Sequence, residues 1–299
     1  MPTFRLLAVT LVLFSLCDVR AEQPSGQPAP STKAVALNPQ GTVLLDHPGK
    51  KILLKTTVCL RDGLLEMLVC PRQTKEHESI LSIDAAAETI HAGLLALGAK
   101  PGHPVQFQPE YRPAAGEEIE IYLNWKDDQG RQQRVPAQDW IRHSLQRYFE
   151  SPLAALPPGL KLPKGRSEPV YDEANRKLIF YGPMSEEQLK TFLGYSEDKA
   201  YQQALRDLRR QGEERPLQAK FLFAGSRFVK LTNGKEAYQA NSGNLICVAN
   251  FSDAMIDIDV KSSASNDSGL LFETWTERIP PLQSEVVVEL IPVSLKEKK

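Results

Sequence analysis

Residues 58–98 have the sequence VCLRDGLLEMLVCPRQTKEHESILSIDAAAETIHAGLLALG, and the fold prediction starts from this stretch. It begins with alternating apolar residues, passes through a Cys-Pro turn and the charged cluster Lys75-Glu76-His77-Glu78, and ends in an amphipathic segment. It contains two of the four cysteines and two of the five histidines. Any chemistry of this chain is therefore expected here first.

This stretch and the residues just before it predict two strands followed by a helix. Residues 51–60 and 64–70 are rich in Leu and β-branched residues and are joined by Asp62-Gly63, which predicts a β-hairpin. Residues 84–97 carry apolar side chains at helical spacing. Asp84 is the expected N-cap of this helix, and Gly98 is the expected residue just after its end.

A second hairpin is predicted further along the chain. Residues 119–125 and 132–135 flank a turn signal at residues 128–130. Residues 138–149 fit a short helix or an extended segment, and the pattern leaves both open. Residues 151–169 are rich in proline, which predicts a loop or linker.

The middle of the chain then changes character. Residues 177–181 predict a short strand. Ser185 and Gln188 form the Ser-x-x-Gln pattern of a capping box, which predicts a helix through residue 192. Ser196 is the expected cap of a second helix over residues 197–211. These features predict a small helical insertion between two β-rich parts.

The C-terminal part returns to β patterning. Six strand candidates are separated by turn residues, at residues 220–223, 227–231, 245–250, 256–260, 270–274 and 286–290. We therefore predict an α+β fold, with a mixed, mainly antiparallel sheet, one packed amphipathic helix and the small helical insertion. Its core would come from residues 37–149 and 217–294, with a Pro-rich linker and the insertion at residues 150–216. Two separate domains are the alternative on length alone.

The N-terminus predicts export. Residues 1–21 contain Arg5, an apolar run at residues 6–16 and small residues around a cleavage site after Ala21, which is the pattern of a secretory signal peptide. The run is shorter than the roughly 20 apolar residues that span a bilayer. No later stretch is apolar enough to serve as a transmembrane segment.

The mature chain is expected to be periplasmic or extracellular. Cys17 follows Leu16 rather than a small residue, which argues against a lipoprotein anchored at Cys17. Residues 22–36 are rich in Pro, Ser and Gln and predict a disordered leader. The net charge of −1, with no long run of one sign, gives no electrostatic footprint for nucleic acid. The partner is therefore expected to be a protein or a small molecule.

Three cysteines, Cys59, Cys70 and Cys247, remain after signal cleavage. In the predicted hairpin Cys59 and Cys70 would lie roughly 13 Å apart, beyond bridging distance. A disulfide from Cys247 to either of them, or three buried thiols, both remain open. An iron–sulfur cluster is not expected, because the cysteines are scattered and no C-x₂-C occurs.

Several short motifs of the sequence resemble those of one protein family. They are Gly63-Leu64-Leu65-Glu66, Cys70, residues 75–79, the segment around the predicted helix, and residues 223–226, 243–246 and 277–281. In this order they resemble the YdjY-type domain, a family of uncharacterised bacterial proteins, over residues 41–143 and 217–292. The layout is similar to exported versions in planctomycete-like bacteria. The resemblance implies a fold and an extracytoplasmic location, without an activity.

The candidate chemistry centres on the turn after Cys70. A metal or thiol site from Cys70, His77 and His91 would suit zinc or copper, with Glu76 or Glu78 nearby. A thiol nucleophile at Cys70 beside His77 is the enzyme version. In the structural interpretation Cys70 packs as a small apolar side chain, and His77 and His91 form hydrogen bonds with neighbouring groups.

Two functional hypotheses follow. The first is an exported protein with a non-catalytic binding or envelope-associated role, whose binding residues are Glu66, Cys70, Glu76, His77 and Glu78. The second is a metal- or thiol-dependent redox protein that uses Cys70, His77 and His91. The absence of a recognised catalytic motif favours the first.

Overall fold

The computed structural model describes residues 34–262 and 270–296. The predicted signal peptide and nearly all of the predicted leader lie outside the described residues. The last residues of that leader form a strand, β1. None of the helices in the described ranges has the length and apolar character that a membrane span needs.

The described residues form three α-helices and nineteen short or medium strands. The strands are β1 (Val35–Ala36), β2 (Val43–Asp46), β3 (Lys51–Val58), β4 (Met67–Pro71), β5 (Ser79–Ile83), β6 (Pro101–His103), β7 (Ala115–Lys126), β8 (Gln132–Pro136), β9 (Ile141–His143), β10 (Tyr148–Pro152), β11 (Val170–Asp172), β12 (Lys177–Tyr181), β13 (Phe221–Phe223), β14 (Phe228–Lys230), β15 (Glu236–Tyr238), β16 (Ile246–Cys247), β17 (Ile256–Ile258), β18 (Phe272–Thr274) and β19 (Glu285–Pro292). The helices are α1 (Ala87–Leu97), α2 (Glu186–Leu193) and α3 (Lys199–Gln211).

Eight of these strands close into a barrel. Their order is β3-β19-β7-β13-β17-β16-β4-β5, and β5 pairs back to β3. The neighbours are antiparallel except for the parallel pairs β16–β17 and β4–β5. Strands β1 and β2 extend the sheet beyond β3, while β6 and β8 pair with β7. The barrel takes strands from both parts of the predicted core.

The predicted α+β class is therefore wrong, because the described chain is mostly β and its main sheet is closed. The prediction of a mixed, mainly antiparallel sheet with one packed helix did not include the β3–β5 pairing that closes the sheet. That pairing joins Thr57 to Ser82 and Val58 to Leu81, and it turns a row of strands into a ring. Single strands carry no sequence signal for such closure, because each buries its apolar residues in either case.

The predicted hairpin over residues 51–70 does not form. Strand β5 lies between β3 and β4, so the two strands are not neighbours. The chain turns at Gly63, whose φ of 134° suits glycine, and runs to β18 instead. There Leu64 bridges to Glu273, and the N–H of Thr274 donates to Gly63 O at 3.1 Å.

Helix α1 confirms the predicted helix, with a later start. Its first residue is Ala87, and the N–H of Ala87 donates to Asn241 Oδ1 at 2.7 Å rather than to a capping Asp84. Gly98 ends the helix with a φ of 93°, as predicted. The buried face of α1, which includes Ile90 and Leu94, belongs to the main hydrophobic core.

The predicted insertion forms a second layer. Strands β10, β12 and β11 make a small antiparallel sheet, and α2 and α3 share a separate hydrophobic core with it. The capping box is confirmed, because Ser185 Oγ accepts from the Gln188 N–H at 3.1 Å and the Gln188 side chain accepts from the Ser185 N–H at 2.8 Å. Helix α3 is capped by Asp198 instead of Ser196.

The segment left open at residues 138–149 is mostly extended. After a short 3₁₀ turn at Ala137–Trp140 it continues as β9, which pairs with β18, and then as the start of β10. Strand β9 packs on the barrel core through Ile141, whereas β10 belongs to the second layer. The residues between them therefore lie where the two layers meet.

Candidate functional site

The predicted site residues Glu66, Cys70, Glu76, His77 and Glu78 lie around one turn after β4. Cys70 is fully buried. The Lys75 ammonium lies 2.6 Å from Glu66 Oε2 and 4.1 Å from the centre of the Phe251 ring. Burial and the neighbouring Glu66 carboxyl raise the pKa of Glu78. The structure thus brings the acidic residues of the prediction together with a lysine.

The remaining members of this turn have structural partners. The Glu76 carboxylate accepts from the backbone N–H of Gln73 and from that of Thr74, the latter at 2.9 Å. These bonds hold the turn closed. The His77 side chain is 73% exposed and lies 3.8 Å from Glu78 Oε2.

His91 lies elsewhere, on α1. Its Nδ1 is 2.7 Å from the Tyr238 hydroxyl, and its ring packs edge-to-face on Phe223 at 4.9 Å. Burial lowers the pKa of His91. Within the described ranges no three His, Cys, Asp or Glu side chains converge as a metal site would require. Cys70, His77 and His91 are therefore not assembled as the predicted ligand set.

The three described cysteines, Cys59, Cys70 and Cys247, are free thiols. The predicted separation of Cys59 from Cys70 relied on the hairpin that does not form. The structure instead places the two cysteines on either side of β5, where the N–H of Cys59 donates to Ile80 O and Cys70 pairs with Ser82. The Cys59 thiol donates to Ser79 O at 3.1 Å. Cys247 is fully buried next to Cys70 in a small apolar cluster.

A large cavity lies between the strands β9 and β18 and the second layer. This cleft has a volume of about 1110 Å³, slightly above the usual range of ligand sites. Its walls come from the turn at residues 62–64, from β9, β10 and β18, and from the chain between α3 and β13. The side chains that matter for its chemistry are Arg142, His143, Arg147, Tyr148, Tyr181 and Arg215.

Most acidic groups in the walls of the cleft are already paired. Arg142 donates to Glu273 at 2.9 Å and to Glu214 at 2.8 Å. Glu150 is bound by Lys177 at 2.5 Å. No carboxylate of the described residues lies within 4.0 Å of the Arg215 guanidinium. The positive charge of Arg215 is therefore available to a ligand.

Burial and the positive charge of Arg215 lower the pKa of the neighbouring His143. Burial lowers the pKa of its imidazole to about 4, with further lowering by the charges of Arg215 and Arg147. The ring also packs edge-to-face on Phe272 at 5.0 Å. At neutral pH the imidazole is thus uncharged, and it lies in a positive electrostatic potential that would favour a bound anion.

Two tyrosines supply a flat wall to the cleft. Tyr148 and Tyr181 are direct neighbours in the β10–β12 register, and their rings pack edge-to-face at 5.0 Å. They are 66% and 48% exposed. Exposed aromatic rings of this kind bury apolar area when a ligand covers them, while their hydroxyls remain free to bond.

Sequence reasoning missed the cleft. The prediction left the segment of Arg147 and Tyr148 open between a helix and an extended chain, and it placed Tyr181 on a short strand. Arg215 was assigned to the end of the helical insertion. No sequence spacing marks these residues as a group, because most of the residues of the second layer lie between Arg147 and Arg215 in the chain. The only signal was local, in the Arg142-His143 pair and the nearby Arg147.

Comparison with known families gives one match. Residues 43–151 match the YdjY domain, which confirms the predicted resemblance for the first part of the chain. The matched stretch includes the turn after Cys70 and the Arg142-to-Glu150 wall of the cleft. Residues 217–292 lie outside the match, so their resemblance stays a prediction. Neither the curated proteins nor the solved structures contain a match to this chain.

Proposed function

We propose that the YdjY domain and the second layer together form a binding protein, which holds a small oxyanion in the cleft beside Arg215, Arg147 and His143. The observation that carries this proposal is the Arg215 guanidinium, which faces the cleft without a carboxylate partner among the described residues. Guanidinium groups bind carboxylates and phosphates through paired, charge-assisted hydrogen bonds. The proposed ligand therefore carries one of these two groups.

The other walls define the rest of the ligand. Tyr148 and Tyr181 offer ring surface on one side of the cleft, and the cavity of about 1110 Å³ has room for more than an inorganic ion. A ligand with an anionic end and a flat or apolar body would use both features. The turn after Cys70 is not part of this cleft, and its charges bind one another.

Export remains part of the proposal. The signal-peptide pattern of residues 1–21 supports a location outside the cytoplasm, where a binding protein would collect a solute or hold an envelope component. Detection of the mature N-terminus at Glu22 in an exported fraction would test this. Recovery of the uncleaved chain in the cytoplasmic fraction would contradict it.

The experiment for the binding site is isothermal titration calorimetry at low ionic strength with pyrophosphate and, separately, with citrate. We expect one of these probes to bind, and Arg215→Gln to weaken the binding at least about tenfold, which corresponds to about 1.4 kcal/mol. Arg206→Gln is the matched control, because Arg206 lies on the outer face of α3 and bonds Gln202.

Two outcomes would contradict the proposal. One is the absence of heat from both probes at millimolar concentration. The other is equal affinity of the Arg215 and Arg206 variants, since a specific site must depend on the guanidinium inside the cleft. Weakening by added salt is expected but does not discriminate, because surface binding is screened as well.

A further inference from the structure

Strand β10 is an edge of the small sheet in the second layer. The sheet order is β10-β12-β11, so β10 pairs with β12 on one side only in the described ranges. The Gly182 N–H donates to Arg147 O at 2.9 Å, and the Leu153 N–H donates to the chain just before β12 at 2.9 Å. In an antiparallel pair such bonds recur at every second residue. The backbone groups of Tyr148 and Glu150 therefore point away from β12.

This free edge belongs to the wall of the cleft. Gln211 at the end of α3 lines the same cleft, and its Nε2 donates to Glu150 O at 3.0 Å. Within residues 34–262 and 270–296, no hydrogen bond satisfies the Tyr148 N–H, the Tyr148 carbonyl or the Glu150 N–H. A strand edge with open donors and acceptors is a template for another extended chain.

Arg215 lies toward the start of β10. Its carbonyl accepts from the His143 N–H at 3.1 Å, and residues 144–147 lead from there into the strand. The Arg215 side chain lines the cleft, and no carboxylate of the described residues lies within 4.0 Å of its guanidinium. A positive charge without an acidic partner is thus present near one end of the free edge.

Two aromatic side chains lie beside the same edge. Tyr148 is 66% exposed, and its ring packs on Tyr181 of the neighbouring strand at 5.0 Å. The next residue, Phe149, points to the opposite face and belongs to the core of the second layer. In an added strand the residue opposite Tyr148 projects to the same face as Tyr148, so its side chain contacts the tyrosine ring.

We propose that the ligand of the cleft is an extended peptide with a free C-terminal carboxylate, which adds as a strand to the edge of β10. This inference rests on the proposed anion site and names the chemical class of its ligand. The terminal carboxylate binds the Arg215 guanidinium, and the peptide backbone exchanges hydrogen bonds with Tyr148 and Glu150. Because Arg215 lies toward the start of β10, the peptide runs antiparallel to β10, as the other pairs of this sheet do.

The first test compares two forms of one peptide by isothermal titration calorimetry at low ionic strength. The probe is N-acetylated Gly-Val-Tyr-Val-Ala, either with a free C-terminal carboxylate or as the C-terminal amide. We expect the amide to bind at least about tenfold more weakly. Arg215→Gln should remove this difference, and Arg206→Gln on the outer face of α3 should keep it. Equal affinity of the two peptides for the wild type would overturn the proposal.

A scan of the free-carboxylate peptide, methylated at one backbone nitrogen at a time, tests the strand pairing without altering the protein. Only every second N–H of an added strand points at β10. Methylation should therefore weaken binding at alternate positions and leave the positions between them close to the unmodified peptide. The same affinity at every position, whether kept or lost, would contradict the added strand.

Amide hydrogen exchange in the protein locates the bound peptide. In the free protein the Tyr148 and Glu150 amides should exchange faster than the Phe149 amide, which bonds β12, and saturating peptide should slow both. Protection of these two amides that grows with protein concentration alone would show that a second copy of the chain covers the edge, and the proposal would fail. Binding of citrate or pyrophosphate through Arg215 without binding of the peptide would overturn this inference alone and keep the anion site.

Discussion

The backbone N–H of His143 donates to the carbonyl oxygen of Arg215 at 3.1 Å, and both side chains face the same cleft. This bond ties β9, on the barrel side, to the chain that returns from α3. The imidazole is thereby held in a partly buried position within the field of the arginine. Burial and this field together keep it uncharged at neutral pH.

The first prediction concerns the free protein. The His143 pKa of about 4 should rise in Arg215→Gln, because the variant removes one of the positive charges that oppose protonation. Arg206→Gln should leave it unchanged. Histidine ring signals followed by NMR over a pH series measure both values. A His143 that titrates near its ordinary value of about 6.5 in the wild type would refute the assignment.

The second prediction concerns the barrel. Gly116 on β7 has a φ of 152°, and a Cβ there would lie 2.0 Å from the backbone oxygen of Phe223 on β13. Gly116→Ala should therefore lower the free energy of unfolding by about 3 kcal/mol or more, because the backbones of two paired strands must separate. Urea denaturation measures the loss.

Gly130→Ala is the control for that experiment. Gly130 also has a positive φ, 74°, but a Cβ there meets nothing within 4 Å. The expected cost is only the conformational one, about 1 kcal/mol. Equal losses in the two variants would show that the close approach of β7 and β13 does not contribute.

The local parts of the fold were predictable from the sequence. The capping box of Ser185 and Gln188, the end of α1 at Gly98 and the β7–β8 hairpin all depend on residues close together in the chain. Their physical determinants, a side-chain cap, a residue with positive φ and a two-strand turn, are visible in a short window.

The closure of the barrel and the cleft were not predictable in this way. Strand β19 pairs with β3 across more than 200 residues, and β5 rather than β4 lies beside β3. Apolar strands fit either arrangement, so packing of the whole chain decides between them. The approach of Arg215 to His143 likewise joins distant segments of the chain and carries no local pattern.

The third prediction concerns a buried carboxyl. Burial raises the pKa of Asp257 to about 7, although Asn250 and the Ile258 N–H bond its Oδ1. In the unfolded chain the carboxyl ionises near its ordinary value, so the folded state binds more protons between the two values. Stability from this group is full at low pH and declines as pH rises toward 7.

Asp257→Asn removes this dependence while its Oδ1 keeps both bonds. Between about pH 5 and about pH 8 the variant should lose less stability than the wild type. Urea denaturation at the two pH values gives the comparison. If the two proteins show the same pH dependence, the Asp257 carboxyl is ionised in the folded state over the whole pH range. That result would contradict its raised pKa.

The most direct test of the anion cleft is the NMR titration of His143 with and without a saturating oxyanion, pyrophosphate or citrate, whichever binds. A bound anion offsets the charges of Arg215 and Arg147, so the His143 pKa should rise above its value of about 4, and affinity should increase as pH falls toward that range. An unchanged His143 pKa under saturating anion would place the bound ion elsewhere and contradict the proposed site.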